Sequence, residues 1–139
     1  MPSNLYSQFT YDDALEMKAA GLVAASADGS ILDLGEGLFD GFLVIDASAI
    51  EVASGDEIYT ISVEGSTVAA MTSESVCLAK KVFGNVVVPM DDALSAAGRY
   101  VIPFRNEEAG ELQRYVRLST LVAGTIATGI NFSAFLAKR

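Results

Sequence analysis

The adjacent carboxylate pairs Asp12-Asp13, Asp91-Asp92 and Glu107-Glu108, and the one thiol, Cys77, are groups here whose type and spacing could do chemistry. Paired carboxylates work as general acid and base when they converge across a cleft, as in glycoside hydrolysis. Adjacent residues on one element do not point together, and the first two pairs stand where helix caps would stand. Cys77 lies between Val76 and Leu78, with no basic neighbour before Lys80. A nucleophilic thiol needs a base, and the chain has no His, so the expectation is a buried, inert thiol. The missing His also removes His-based triads and His-ligated metals. A single Cys allows neither an internal disulfide nor a Cys-cluster zinc site. Asp28-Gly29-Ser30 with Asp33 forms an acidic turn cluster without the spaced carboxylates of a calcium loop. No phosphate-loop, dinucleotide or nucleophile-elbow motif occurs. The expectation is a protein that is not an enzyme, with no cofactor and no metal.

The elements that would have to position any site read as β. Glu57–Glu64 alternates, with Tyr59, Ile61 and Val63 against Ile58, Thr60, Ser62 and Glu64. Gly41–Ile50 is a longer, nearly continuous apolar run, which predicts burial on both faces over part of its length. Ile130–Ala137 sets Ile130, Phe132, Ala134 and Leu136 on one face. Gln113–Ala123 sets Tyr115, Arg117 and Ser119 against Val116 and Leu118, with Leu121 joining the apolar set. Ile31–Leu34, Val68–Ala70, Ser75–Phe83, Asn85–Pro89 and Arg99–Arg105 are further strand candidates. Gly124 and Gly129 bracket a predicted hairpin turn. Residues 12–20 predict a short helix: Asp13 and Glu16 have capping-box spacing, Leu15, Ala19 and Leu22 share a face, and Gly21 stops it. A strand at Leu22–Ala25 competes for its end. Asp91–Gly98 predicts a capped helical turn. Residues 1–11 read as an extended arm with interleaved aromatics. The fold class expected is all-β, a jelly-roll-like antiparallel β-sandwich with a short N-terminal helix and an N-terminal arm. Its 139 residues fit one domain, 1–139.

Composition narrows the partners. Net charge is −9 and the pI about 4.3, which disfavours broad contact with nucleic acid or anionic lipid. Mean hydropathy is +0.38 and charged residues are 19 %, yet no apolar run approaches the ~18 residues of a transmembrane helix. No signal peptide is visible at the start. Few charges and no span suggest surface buried against other subunits. Residues 1–70 hold twelve Asp/Glu and one basic residue, Lys18; residues 71–139 hold six acids and eight Lys/Arg. Beyond solubility, such asymmetry suits an acidic face docked on a basic partner or on the basic end of a sister subunit.

Arg114-Tyr115-Val116-Arg117-Leu118, then Val122-Ala123-Gly124-Thr125, then the closing strand Ile130–Leu136 carry a resemblance. So does the order Ile31-Leu32-Asp33-Leu34-Gly35, a long apolar strand and Ile58–Ser66. Together these segments, across residues 20–137, resemble the capsid cement (decoration) proteins of short-tailed double-stranded DNA phages. The resemblance implies a jelly roll on the outer surface of the virion capsid. It implies contact with a major capsid protein of the HK97-type fold and self-association as a homodimer or homotrimer. The expected function is to clamp adjacent capsomers of the expanded shell against internal DNA pressure. Linked modest contacts suffice for that work. The expected protein-interface residues are Leu5, Tyr6, Phe9 and Tyr11 on the arm, and Tyr115 and Arg117. Arg117 has two readings: an ion pair across the oligomer interface, or a salt bridge within its own chain. The alternative function is a ligand- or carbohydrate-binding β-sandwich for host adhesion, using Tyr and Phe as stacking platforms. A third class, a cupin- or dUTPase-like enzyme, lacks its His ligands or nucleotide motif.

Overall fold

Period-two alternation decides most of the architecture. In the computed structural model, which describes residues 13–72, 75–84 and 96–138, Asp13–Leu15 form one 3-10 turn and eleven strands follow. They are β1 (Glu16–Val23), β2 (Ala27–Asp28), β3 (Leu32–Asp33), β4 (Asp40–Ile50), β5 (Ile58–Ser66), β6 (Val76–Gly84) and β7 (Gly98–Arg105). After them come β8 (Glu107–Glu108), β9 (Glu111–Leu112), β10 (Tyr115–Ala123) and β11 (Ile130–Lys138).

Two antiparallel sheets face each other. Sheet one has the order β1-β11-β4-β7. Sheet two has the order β2-β10-β5-β6, with β3 also paired to β10. The pairings nest: β1 with β11, β2 and β3 with β10, β4 with β7, β5 with β6. The chain is therefore one long hairpin, wrapped so that β11 also meets β4 and β10 also meets β5. That is jelly-roll order. The core lies between the sheets. Leu43 and Ile45 of β4 and Ile130, Phe132, Ala134 and Leu136 of β11 face Tyr59, Ile61 and Val63 of β5 and Val116 and Leu118 of β10. These are the positions the alternation of β5, β10 and β11 selects.

Several expectations are corrected. The helix over residues 12–20 is absent from the described residues: after the 3-10 turn the chain enters β1. Of the proposed helix face, Ala19 and Leu22 are exposed, while Met17 is the residue β1 buries. A helix of about nine residues has little stability of its own. Pairing along the free edge of β11, with two register shifts, satisfies backbone groups of both strands. Val68–Ala70 is a turn, closed by the Met71 N–H donating to the Val68 carbonyl at 3.0 Å. Gly124 and Gly129 do not close a hairpin, because β10 and β11 belong to different sheets and the loop crosses between layers. Leu121 points outward and is 59 % exposed, while Thr120 takes the buried place. Cys77 is exposed. A bulge in β6, where Leu78 is the extra residue between Cys77 and Ala79 opposite Glu64 and Val63 of β5, puts Leu78 and Ala79 both against the core side and turns Cys77 out. The arm at 1–11, most of the helical turn at Asp91–Gly98 and the strand at Asn85–Pro89 lie outside the described residues.

The sheet edges are blunted. On β1 the Lys18 ammonium donates to the carbonyls of Ala19, Gly21 and Phe132 at 2.9, 3.0 and 2.9 Å and sits 4.5 Å from the Phe132 ring centre. Burial pushes its pKa down. On β6, Lys81 stands opposite the buried Ile61, with its ammonium 5.8 Å from the Tyr100 ring of β7. β7 carries Pro103, which has no N–H to offer. Charged side chains, a proline and short or bulged strands are the devices that keep edges from pairing with other chains.

Candidate functional site

The carboxylates that the fold brings together form a clasp at one end of the sandwich. Glu51, just after β4, reaches the loop between β10 and β11. Its carboxylate accepts from the N–H groups of Ala127, Thr128 and Gly129 at 3.1, 2.7 and 2.8 Å. Asp56 accepts from the Thr125 N–H and hydroxyl, both at 3.0 Å. Glu57 is 0 % exposed and accepts from the N–H groups of Ser54 and Asp56 at 2.9 and 3.0 Å. The Tyr59 hydroxyl donates to the Glu51 carbonyl at 2.9 Å. Gly124, at φ +97°, packs so closely on the Asp56 carbonyl that a Cβ there would collide with it.

The electrostatics follow from these donors. The Gly129 and Thr128 amides hold the Glu51 carboxyl below its usual range, and Thr125 does the same for Asp56. For Glu57, burial pushes upward, but the amides of Ser54, Glu57 and Asp56 outweigh it and the net direction is down. Burial, with Glu51 and Glu57 nearby, pushes Tyr59 up to about 12. Carboxylates held ionised by backbone amides are poor proton shuttles and good staples. Their chemistry here is to lock two cross-layer loops together.

The outward face of sheet two holds the predicted pair Tyr115 and Arg117. They do share that face, as their spacing on β10 requires. Arg117 Nε donates to Glu64 on β5 at 3.1 Å, and its Nη2 lies 3.7 Å from Asp28 on β2. Of the two readings of Arg117, the structure has the pair within the chain. Arg114, just before β10, grips Asp33 with two bonds of 2.8 and 3.0 Å and lies 5.4 Å from the Tyr115 ring centre. That grip lowers the Asp33 pKa, helped by the Gly35 amide. Leu5, Tyr6, Phe9 and Tyr11 lie outside the described residues.

The outward face of sheet one is different. Val44 stands between Phe135 of β11 and Val101 of β7, and Phe42 between Ala137 and Pro103. Val44, Phe135 and Ala137 form a second apolar cluster, with Val44 0 % and Phe135 4 % exposed. The both-faces burial predicted for β4 is realised here. Asp46, one row along, is gripped by Arg99 at 2.7 and 2.9 Å.

Among the described residues no group of three His, Cys, Asp or Glu side chains is placed to hold a metal ion. Their aromatic rings are buried or half-buried. A depression of about 390 Å³ beside Thr67, Val68, Val76, Glu108 and Glu111 has no aromatic side chain among its described lining residues. The clasp was not visible in the sequence beyond the turn Ser54-Gly55-Asp56, since its donors come from residues some seventy positions away. No family model matches this chain, and no curated protein matches it.

Proposed function

We propose that this protein is a capsid decoration protein: a structural jelly roll that binds outside a phage head and clamps adjacent capsomers of its major capsid protein. The observation that carries the reading is how the grouped charges are used. Glu51, Asp56 and Glu57 hold loops, and Asp33, Asp46 and Glu64 hold arginines of the same chain. What such a molecule offers is a stiff two-layer block with pinned loops, suited to carrying load between neighbours. The segments around Tyr115-Val116-Arg117-Leu118 and Gly124-Thr125 add the resemblance to cement proteins. A net charge of −9 keeps the subunit off packaged or free DNA. The carbohydrate-binding alternative asks for exposed ring platforms, and the described rings are not exposed.

The test is co-sedimentation of the purified chain with expanded heads stripped of accessory protein, from the phage that encodes it, with stoichiometry read by gel. Saturable binding at a fixed ratio to the major capsid protein is the expected result. Absence of binding by the folded protein overturns the reading and moves a ligand-binding sandwich to first place.

A further inference from the structure

The outward face of sheet one carries an apolar strip two rows deep. Phe135, Val44 and Val101 make one row across β11, β4 and β7, and Ala137, Phe42 and Pro103 make the next. Charged residues bound it on both sides: Asp46 with Arg99 beyond the first row, and Asp40 opposite Arg105 beyond the second. β4 and β5 hold equivalent places, each between two other strands of its sheet. The outward residues Thr60, Ser62 and Glu64 of β5 are half-buried, whereas Val44 of β4 is 0 % exposed. Sheet two packs on the inner face, so Val44 has a cover of its own.

That cover lies toward β1. Exposure along the first row is 4 % at Phe135, 0 % at Val44 and 38 % at Val101, so the covering is centred on β11 and β4 and gives out at β7. On the β11 side the row ends at Glu16, the first residue of β1, which stands opposite Phe135. The chain thus enters the sheet at the margin of the strip, straight after the turn Asp13–Leu15. Residues 1–11 contain no Asp, Glu, Lys or Arg and hold Leu5, Tyr6, Phe9 and Tyr11. On an extended chain Leu5, Phe9 and Tyr11 share one side. Val44 is two strand spacings from Glu16, about 10 Å, and twelve extended residues reach about 40 Å. The other long stretch outside the described residues, 85–95, rejoins the sheet at Gly98 of β7. It returns on the side where Val101 is left open, beyond the Asp46–Arg99 pair.

We infer that residues 1–12 fold back over sheet one of their own chain, seating Leu5, Phe9 and Tyr11 on the strip between the two charged rows as a third layer. An uncharged segment with apolar side chains on one side suits an apolar strip framed by ion pairs. Tethering favours the chain's own arm over that of a second copy, because a segment joined this close to its site acts at a roughly millimolar effective concentration. The arm then buries its aromatic side chains within its own subunit, and contacts with other proteins fall to other surfaces. The inference is read on the isolated chain and does not rest on the decoration reading.

The experiment is maleimide labelling of the full chain carrying Cys77→Ser and Val44→Cys, whose one thiol reports on the strip, with each variant checked for a cooperative melt. Labelling should be slow, and about tenfold or more faster once Leu5, Tyr6, Phe9 and Tyr11 are all changed to Ser. A second measurement does not depend on the four-site variant folding. Leu5→Cys, Phe9→Cys or Tyr11→Cys is added one at a time to the same background, and mild oxidation should close at least one disulfide to position 44 within a single chain. Fast labelling of the full chain overturns the inference. So does a rate that ignores the four substitutions, which leaves the cover to residues 85–95 or to Arg99. Protection that weakens on dilution, with disulfides that join two chains, overturns it by giving the strip to the arm of a second copy. Closure of no disulfide at any of the three positions overturns it as well.

Discussion

The outward faces of the two sheets solve different problems. Sheet one is apolar on both sides through its middle, so Val44 and Phe135 lie as deep outside the sandwich as Leu43 and Leu136 lie inside it. Sheet two buries apolar side chains only inward, leaving Ile58 and Leu121 exposed on its outer side, which also carries a ladder of ion pairs through Arg114 and Arg117. An antiparallel sheet needs only one buried face to fold. Sheet one therefore buries side chains on both faces, and sheet two on one.

The largest expected effect tests whether the outer cluster is core. Phe135→Ala should cost about 3–5 kcal/mol in urea unfolding, as Phe132→Ala on the inner face should. A cost below 1 kcal/mol for Phe135→Ala would make the two outer faces equivalent and break the contrast.

Acid should separate the regions next. Asp33, Glu51, Asp56 and Glu57 all have folded pKa values below their ordinary ones, near 3.8 for aspartate and 4.5 for glutamate. Their contribution is complete above those ordinary values and is lost as pH falls through the lower folded values. Melting temperature should hold from pH 7 to about 5 and fall below about 4.5. Val44, Phe135 and Ala137 are themselves apolar, but Phe135 stands opposite Glu16 and its ring lies 5.6 Å from Arg99, which grips Asp46. The Phe135→Ala decrement should therefore be the same at pH 7 and pH 5, where the melting temperature holds; a decrement that changes over that interval would break the contrast. Tyr59 acts in the other direction: its contribution is whole below pH 10 and is lost as pH climbs toward about 12.

The smallest effect belongs to the ladder. Arg117→Ala should shift stability by less than about 1 kcal/mol, since exposed and half-exposed pairs are weak. A loss as large as that of Phe135→Ala would mean that sheet two also depends on its outer face.

The sequence shows these regions unequally. β5 and β11 were legible because their alternation is unbroken and each lies inside a sheet, where one face must be apolar. β1 was not, because Leu15, Ala19 and Leu22 have helical spacing while two register shifts on an edge relax the strand pattern. Cys77 was misplaced for the same reason: one bulge shifts the parity of everything before it. Gly124 and Gly129 announce a sharp bend, but not whether the chain returns to its own sheet or changes layers. The clasp depends on Glu51 meeting amides of a loop that only the jelly-roll wrap brings near. The uneven charge is visible along the chain, but the strand order sets Arg114 and Arg117 among the acids of residues 28–36, a pairing the sequence does not show.

The position of β11 has a bearing on synthesis. It lies between β1 and β4, so the strand made last among those described is the one that joins sheet one. Until residues 130–138 leave the ribosome, β1 has no partner strand and β4 lacks one side. Pairings this distant along the chain close slowly. The growing chain therefore has β4 paired only by β7 until β11 is made, so one side of apolar β4 waits for a strand some ninety positions later. Late closure by β11, rather than the strength of any one contact, sets how long the apolar faces of sheet one wait for their partner.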